Sequence, residues 1–282
     1  VVFLMQNKQL LQRQDSLYGN LNRSSSMRYE SGESTKLESV TSATQSMQIK
    51  NKLQQNEADM RIAKKQLQVV LNTNDEITIT DSELVRREID LDIENQSVEQ
   101  SPFYVYLKQQ LEVRKRETNV ERNKVLPDIM FGYNSQTFIG AQNSGIANQN
   151  FSDNDRFSFF QLGISIPLFP GGHRAKIQTA KIEEYIVQSQ IELNKTQLQG
   201  ELQNLLQEYY KLQGTLDYYQ NEALPQAELI IDNSEKSFKS GDVSYTQYLQ
   251  NLTLANSIQT EYLNTLYQYN QSIIVIEALL GL

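Results

Sequence analysis

The sequence predicts a mainly α-helical fold of long antiparallel coiled-coil helices with one β-hairpin set among them. Three observations predict it. Heptad seams run through Ile191, Leu198, Leu202, Leu205, Tyr209, Leu212, Leu216 and Tyr219, and again through Ile258, Tyr262, Leu266, Tyr269, Ile273, Ile276 and Leu280. Two segments in the middle of the chain alternate with period two, as strands do. A short pattern also occurs twice. "SMRYESGESTKLESV", beginning at Ser26, and "KSFKSGDVSYTQYLQ", beginning at Lys236, superpose when Gly32 is laid on Gly241, 209 residues apart.

Composition narrows the field. Only 39% of the 282 residues are hydrophobic, and Gln, Asn and Ser fill much of the rest, which suits long two-sided helices. A formal charge of −8 without a Lys/Arg stripe argues against a nucleic-acid surface. The mixed-sign stretch "RREIDLDIE", Arg86 to Glu94, is expected as a solvated face. With no cysteine, neither a disulfide framework nor a thiolate metal site is possible. The lone histidine, His173, has no second His or Cys to share a metal and is expected to be structural or solvated. Glu183 and Glu184 fit a solvated helix face. No nucleophile set can be assembled, so neither an enzyme nor a cofactor is expected. No apolar run approaches the roughly 18 residues of a membrane-spanning helix. The opening "VVFLMQNKQLL" lacks the basic start and cleavage site of a signal peptide and enters a helical pattern directly, so the chain is read as N-terminally truncated.

Taken in order, residues 1–72 form a helical hairpin with its tip near Gly32. Glycine suits the left-handed position that ends a helix, and Thr35-x-x-Glu38 has the spacing of a capping box that starts one. Residues 73–100 lose helical periodicity and read as a linker, with "EITIT" (Glu76 to Thr80) alternating like a short strand. Ser101-Pro102 opens a helix over 101–125, Ser as the cap and Pro in the first turn, and Pro127 stops it. A β-hairpin occupies 127–169. Ile129, Phe131 and Tyr133 share one face of its first strand, opposed by Met130, Gly132, Asn134 and Gln136. In the second strand Phe160, Leu162, Ile164, Ile166 and Leu168 share a face, with Gln161, Gly163, Ser165 and Pro167 behind. Ile139 to Asp155 reads as a long polar loop.

A lone hairpin is marginal in water, so its apolar face needs either a protein core or lipid. The strands have about the 9–11 residues of a tilted membrane strand, with Tyr133, Phe138, Phe157 and Phe169 placed as an aromatic girdle. Both readings stay open from alternation alone.

A long helix, 172–239, follows; unbroken, it would span about 100 Å. Pro225 is read as a kink in it and not as a turn, because its counterpart at the repeat spacing is Ser16 whereas the glycine tip recurs. The second tip, 240–245, carries a capping box at Ser244 and Gln247, and the return helix 246–281 should pack antiparallel.

The junction "SIPLFPGGHRAKIQTAKIEEY", with Pro167, Phe169, Gly171 and Gly172, resembles the strand-to-helix junction of TolC-like outer-membrane efflux proteins. Pro ends the ladder there and the Gly pair makes the turn. "SPFYVYLKQQLEVRKRETNVERNKVLPDI" is similar to that family's helix leading into a strand, and "LPQAELIIDNSEKSFKSGDVSYTQYLQ" to its approach to the tip. The resemblance covers a whole repeat, 101–282, and the second half of a preceding one, 1–72.

It implies an α-helical barrel joined to a transmembrane β-barrel, each subunit of a homotrimer adding hairpins from two repeats, the first of which would lie before Val1. It implies an outer-membrane location with the helices in the periplasm, Phe131, Tyr133, Leu162, Ile164, Ile166 and Leu168 facing lipid, and a passive export duct. Its partners would be a periplasmic adaptor, which meets the tips at Ser31, Gly32, Glu33, Ser34, Ser240, Gly241, Asp242 and Val243, and an inner-membrane transporter. It places Glu38, Thr41, Gln247 and Gln250 at the periplasmic pore mouth. The alternative from the residues is an envelope coiled-coil protein with no pore.

Overall fold

The computed structural model describes residues 1–80, 83–88, 97–137, 139–143, 148–167, 169 and 171–282. In chain order the helices are α1 (Val2–Glu30), α2 (Lys36–Val70), α3 (Pro102–Asn123), α4 (Gly171–Tyr218), α5 (Leu224–Ser240) and α6 (Tyr245–Leu280). The strands are β1 (Asp128–Thr137), β2 (Gly140–Asn143), β3 (Asn148–Phe151) and β4 (Arg156–Ser165). Residues Val1–Gln96 with Gly200–Leu282 form one compact unit and Ser97–Gln199 the other.

In the first unit α1 with α2, and α5 with α6, are antiparallel hairpins that pack together. Both heptad seams are the packing lines they were expected to be. Leu202, Leu212, Leu216, Leu266, Tyr269, Ile273, Ile276 and Leu280 are buried, and the remaining seam positions are half-buried, except Ile191, which is buried in the second unit. Helix α6 buries a further line, Leu252, Ala255 and Leu263, because it lies against α1 as well as α5. One cluster joins Tyr18 and Leu21 of α1, Ile49 of α2, Ala227 and Ile231 of α5, and Tyr245, Tyr248 and Leu252 of α6.

Between α4 and α5 the chain passes through one π turn, Tyr219–Ala223, and Pro225 falls in the first turn of α5. Proline has no N–H and its ring crowds the carbonyl four residues back, so a widened turn at that place accommodates it. The anticipated kink is therefore a local change of helix type, and the chain does not reverse there.

In the second unit, α3 and the first part of α4 lie antiparallel. Arg114 donates to Glu183 (3.3 Å), Thr118 to Glu184 (3.2 Å), and Lys195 to Glu99 (2.5 Å). Glu183 and Glu184 are thus inter-helix ties and not merely a solvated face. Between these helices runs the β1–β4 ladder, from Asp128 opposite Ser165 to Thr137 opposite Arg156. Pro127 and Pro167 flank its end, consistent with their inability to donate to a ladder.

Several expectations need correction. "EITIT" forms no strand; Glu76–Thr80 finds no ladder partner among the described residues. The span Ile139–Asp155 is not simply a loop but carries a second antiparallel ladder, β2 with β3, Gly140 opposite Phe151. A ladder uses backbone groups only, so polar residues form it without any alternation to read. Ser101 stands at the N-cap of α3 but its side chain makes no cap bond; Pro102 in the first turn is what the helix start retains of the expected signal. Gly171 and Gly172 open α4 without positive φ, and an added Cβ at either would meet nothing within 4 Å, so the pair is not a left-handed turn. Leu168, Phe138, Pro170 and all of Arg86–Glu94 beyond Glu88 lie outside the described residues.

Candidate functional site

Cross-strand pairing puts directly opposed residues on one face of a ladder. Ile129 pairs with Ile164, Phe131 with Leu162, and Tyr133 with Phe160, so the two apolar alternations merge into a single face. Phe160 stacks on Phe131 (5.8 Å) and meets Tyr133 (5.1 Å), whose hydroxyl donates to Ser158 (3.0 Å). Among the described residues nothing covers this face: Phe131 is 72% exposed and Leu162 73%. Gln161, opposite Gly132, and Asn134, opposite Phe159, lie on the other face.

The girdle is only partly as expected. Tyr133 stands mid-strand, and Phe157, opposite Gln136, belongs to the polar face, because "RFSFF" puts Phe157 and Phe159 in the parity of Gln161. Phe169 is 89% exposed, and Ile166 lies one residue past the ladder.

The two tips share one backbone grammar. Glu33 N–H donates to the Arg28 carbonyl (2.8 Å) and Gly32 N–H to Tyr29 (3.0 Å); Asp242 N–H donates to Ser237 (2.9 Å) and Gly241 N–H to Phe238 (3.2 Å). This is the Schellman pattern, and it requires the positive φ of Gly32 (78°) and Gly241 (84°). The caps that follow differ. Ser244 and Gln247 form the full capping box, whereas Thr35 Oγ1 accepts from Glu38 N–H (3.3 Å) without the reciprocal bond, so the first box is half-formed.

Between the tips lies a groove of ≈ 770 Å³ lined by Arg28, Glu33 and Glu38 from one side and Phe238, Val243 and Tyr245 from the other. Arg28 sits over the Phe238 ring (5.7 Å), which stacks on Tyr248 (4.7 Å). Ser31, Gly32, Glu33, Ser240, Gly241 and Asp242 are exposed, as surface contacts must be, while Ser34 and Val243 are half-buried, Val243 against the α1–α6 cluster. At the expected pore mouth Glu38 and Thr41 are half-buried and Gln247 and Gln250 exposed, the Gln247 side chain being turned back to accept from Ser244 N–H (3.0 Å).

Sequence reasoning missed a strap. The extended residues 83–88 are docked on the first unit: buried Asn270 donates to the Val85 carbonyl (2.8 Å) and accepts from Arg87 N–H (3.0 Å). Arg86 pairs with Asp217 (2.5 Å) over the Tyr269 ring, Arg87 reaches Glu277 (3.3 Å), and Leu84 packs beside Leu212 and Leu216. Arg86 and Arg87 are therefore tied down, not a solvated face. Beside them burial, and then a hydrogen bond to Tyr269, push the Tyr209 hydroxyl up to about 12. Mixed charge gave no hint of the docking; Leu84 amid polar residues was the only signal.

His173 is half-buried, with its Nδ1 buried and unpartnered, and among the described residues no group of His, Asp or Glu is placed to hold a metal. No described helix is long and apolar enough to cross a membrane.

Helical hairpins ending in paired tips, together with a β-ribbon whose apolar face is bare, define a protein of the outer-membrane channel fold. A family profile described as "Outer membrane efflux protein" matches residues 95–282, and the chain belongs to that family. No curated protein sequence matches significantly. Among solved structures, the chain resembles a membrane protein from Pseudomonas aeruginosa (TM-score 0.79, 14% identity, 99% of this chain and 62% of that one). It likewise resembles the outer membrane protein VceC of Vibrio cholerae (0.75, 15%, 99% and 66%) and the CmeC outer membrane channel of Campylobacter jejuni (0.77, 14%, 99% and 60%). The chain thus spans less than two thirds of the length of the solved chains it matches.

Proposed function

We propose that this protein is a subunit of an outer-membrane exit duct, a homotrimer that acts as a passive conduit in a tripartite efflux or secretion system. The β1–β4 ribbon contributes to a transmembrane β-barrel with Phe131, Leu162 and Ile164 toward lipid and Gln161 toward the lumen. The helices stand in the periplasm, and the tips meet a periplasmic adaptor that links the duct to an inner-membrane transporter. The observation that carries this reading is the continuous apolar ribbon face, merged by the register and left uncovered. A coiled-coil protein without a pore would need to bury that face in its own core.

The register also chooses the test. Ile164 stands one pair from the end of the ladder, whereas Leu162, opposite Phe131, is nearer its middle. An Arg near the bilayer midplane costs ~2–4 kcal/mol, and one near the interface ~0–1. In the complete protein, Leu162→Arg is expected to block outer-membrane insertion, Ile164→Arg to impair it less, and Gln161→Arg to be tolerated. Equal tolerance of all three would overturn the reading.

A further inference from the structure

We propose that the neck of the ribbon, where α3 ends and α4 begins, is a docking collar for anionic phospholipid headgroups of the inner leaflet. The inference rests on the duct reading above, which puts the ribbon in a bilayer. Its first support is charge. In a chain with a formal charge of −8, the last turns of α3 and the first turns of α4 present Arg116, Arg122, Lys124, Arg174, Lys176 and Lys181, all exposed. Glu121 and Asp128 are the carboxylates closest to the neck in sequence, and Lys124 is taken by Glu121 (2.5 Å). Arg122 and Arg174 form no ion pair with any described residue, so their charge is available to a partner; Lys176 forms none either but stands near Glu121, whose carboxyl is held low first by Lys124 and also by Lys176, so the two arginines lead.

The second support is continuity. Arg122, Lys124, Arg174 and Lys176 stand within a turn or two of the helix ends that adjoin the ladder, where Ile129 and Ile164 begin the uncovered apolar face. A surface that is cationic at the neck and apolar along the strands matches one molecule with both parts, a phosphate headgroup carrying acyl chains. Arginine suits the phosphate because its planar fork donates to two oxygens at once. A headgroup layer is only about 5–8 Å deep on each side of the hydrocarbon, and about one helical turn fits within it. Arg122, Lys124, Arg174 and Lys176 occupy that turn, and Arg116 and Lys181 stand behind them. Each Lys or Arg near an anionic surface contributes about a fivefold factor, within a Debye length of about 8 Å. A zwitterionic lipid offers no net charge to the collar.

The test uses the complete protein, reconstituted into vesicles of phosphatidylethanolamine and phosphatidylglycerol, floated, extracted in mild detergent and measured by native mass spectrometry. Phosphatidylglycerol is expected to be retained over phosphatidylethanolamine, and raised salt during extraction should weaken the preference without unfolding the protein. The R122Q/R174Q/K176Q variant should lose the enrichment about tenfold or more, while K64Q/K65Q on α2 should keep it. Enrichment that survives the triple variant or high salt, or that is absent from floated wild-type protein, overturns the collar and leaves the duct reading standing. Glycerol phosphate that competes as well as the lipid would make this a plain phosphate site and overturn it too. Protein that fails to float with the vesicles at all defeats the duct reading and the collar together.

Discussion

The two tips have the same backbone and different surroundings. Each closes its helix with the same pair of carbonyl acceptors and the same left-handed glycine. Beyond that they part. In the second tip Phe238 stacks on Tyr248, and both Tyr245 and Tyr248 are buried; in the first, the counterparts of Phe238 and Tyr248 are Tyr29, 43% exposed, and Ser39, half-buried. A cap is satisfied by five or six consecutive residues, so a repeat can copy it. Packing depends on what lies alongside, and α6 lies between α1 and α5 while α2 has one such flank fewer. The first tip is a cap whose aromatic neighbour stays exposed, the second a cap whose aromatic neighbours are buried in the core.

The sharpest way to break this contrast is to remove the buried packing. Tyr248→Ala deletes a buried aromatic side chain and should cost ~3–5 kcal/mol. Ser39→Ala, at the equivalent position, should stay within ~0.5 kcal/mol. Hydrogen exchange of the amides just after each glycine, in the complete protein, reads this locally. Comparable deprotection at both tips would show that the second is no better anchored.

The same packing should fail in alkali. Burial, and then the nearby Glu235 carboxylate, push the Tyr248 hydroxyl up to about 12, against about 10 in an unfolded chain. With the folded value raised, the stabilisation is complete below pH 10 and is lost as pH rises from there to about 12. The second tip should loosen over that window and the first should not, and Tyr248→Phe should shrink the step, leaving the part that comes from Tyr245, whose hydroxyl burial also pushes up. Tyrosinate absorbance together with hydrogen exchange at high pH checks both.

Where the tips are alike, substitutions should act alike. At Gly32 and Gly241 an added Cβ meets nothing within 4 Å, so the left-handed backbone sets the cost of a side chain, about 1–2 kcal/mol or somewhat more for the branched Val, and similar at the two sites. Thermal denaturation compares them directly. On the duct reading both variants also weaken adaptor docking while the β-barrel still forms, measurable by crosslinking from cysteines placed at Glu33 and Val243. A cost confined to Gly241 would mean that packing, not the cap, sets the energetics.

Smaller still is the cap difference. Ser244→Ala should cost about 1 kcal/mol, since Ser244 Oγ loses its bonds to the Gln247 N–H and to Gln247 Oε1 while the Ser244 N–H keeps its own, and Thr35→Ala, which loses a single bond, nearer 0.5. Guanidinium titration of single variants resolves the two.

The same contrasts separate what neighbouring residues encode from what only the folded chain brings together. Seams, tips and ribbon are legible in the sequence because each rests on local spacing: heptads, a glycine before a hydroxyl cap, strict alternation. The half-formed box at Thr35 and the strap are not, whereas the parity of Phe157 was there to be read in the same alternation. Whether Glu38 turns back to its cap depends on the groove it lines, and that Asn270 holds residues 85 and 87 depends on partners more than 180 positions away. The polar ladder of β2 and β3 leaves no trace because backbone pairing alone makes it.

At the expected pore mouth the two repeats differ in charge. At the repeat spacing Glu38 corresponds to Gln247 and Thr41 to Gln250, so the chain offers one carboxylate among the four positions. The structure sharpens the asymmetry, because Gln247 is occupied in its own cap while Glu38 is not. A half-buried carboxylate at a constriction attracts cations more than one in open water, but a single one per subunit gives a sparse ring. On the duct reading, the complete protein should therefore prefer cations weakly, by a factor of a few. Glu38→Gln should nearly abolish that preference. Gln247→Glu should raise it, although the new carboxylate can also turn back to the Ser244 N–H and blunt the gain. Single-channel reversal potentials under a salt gradient measure all three, and strong selectivity that survives Glu38→Gln would place the mouth elsewhere.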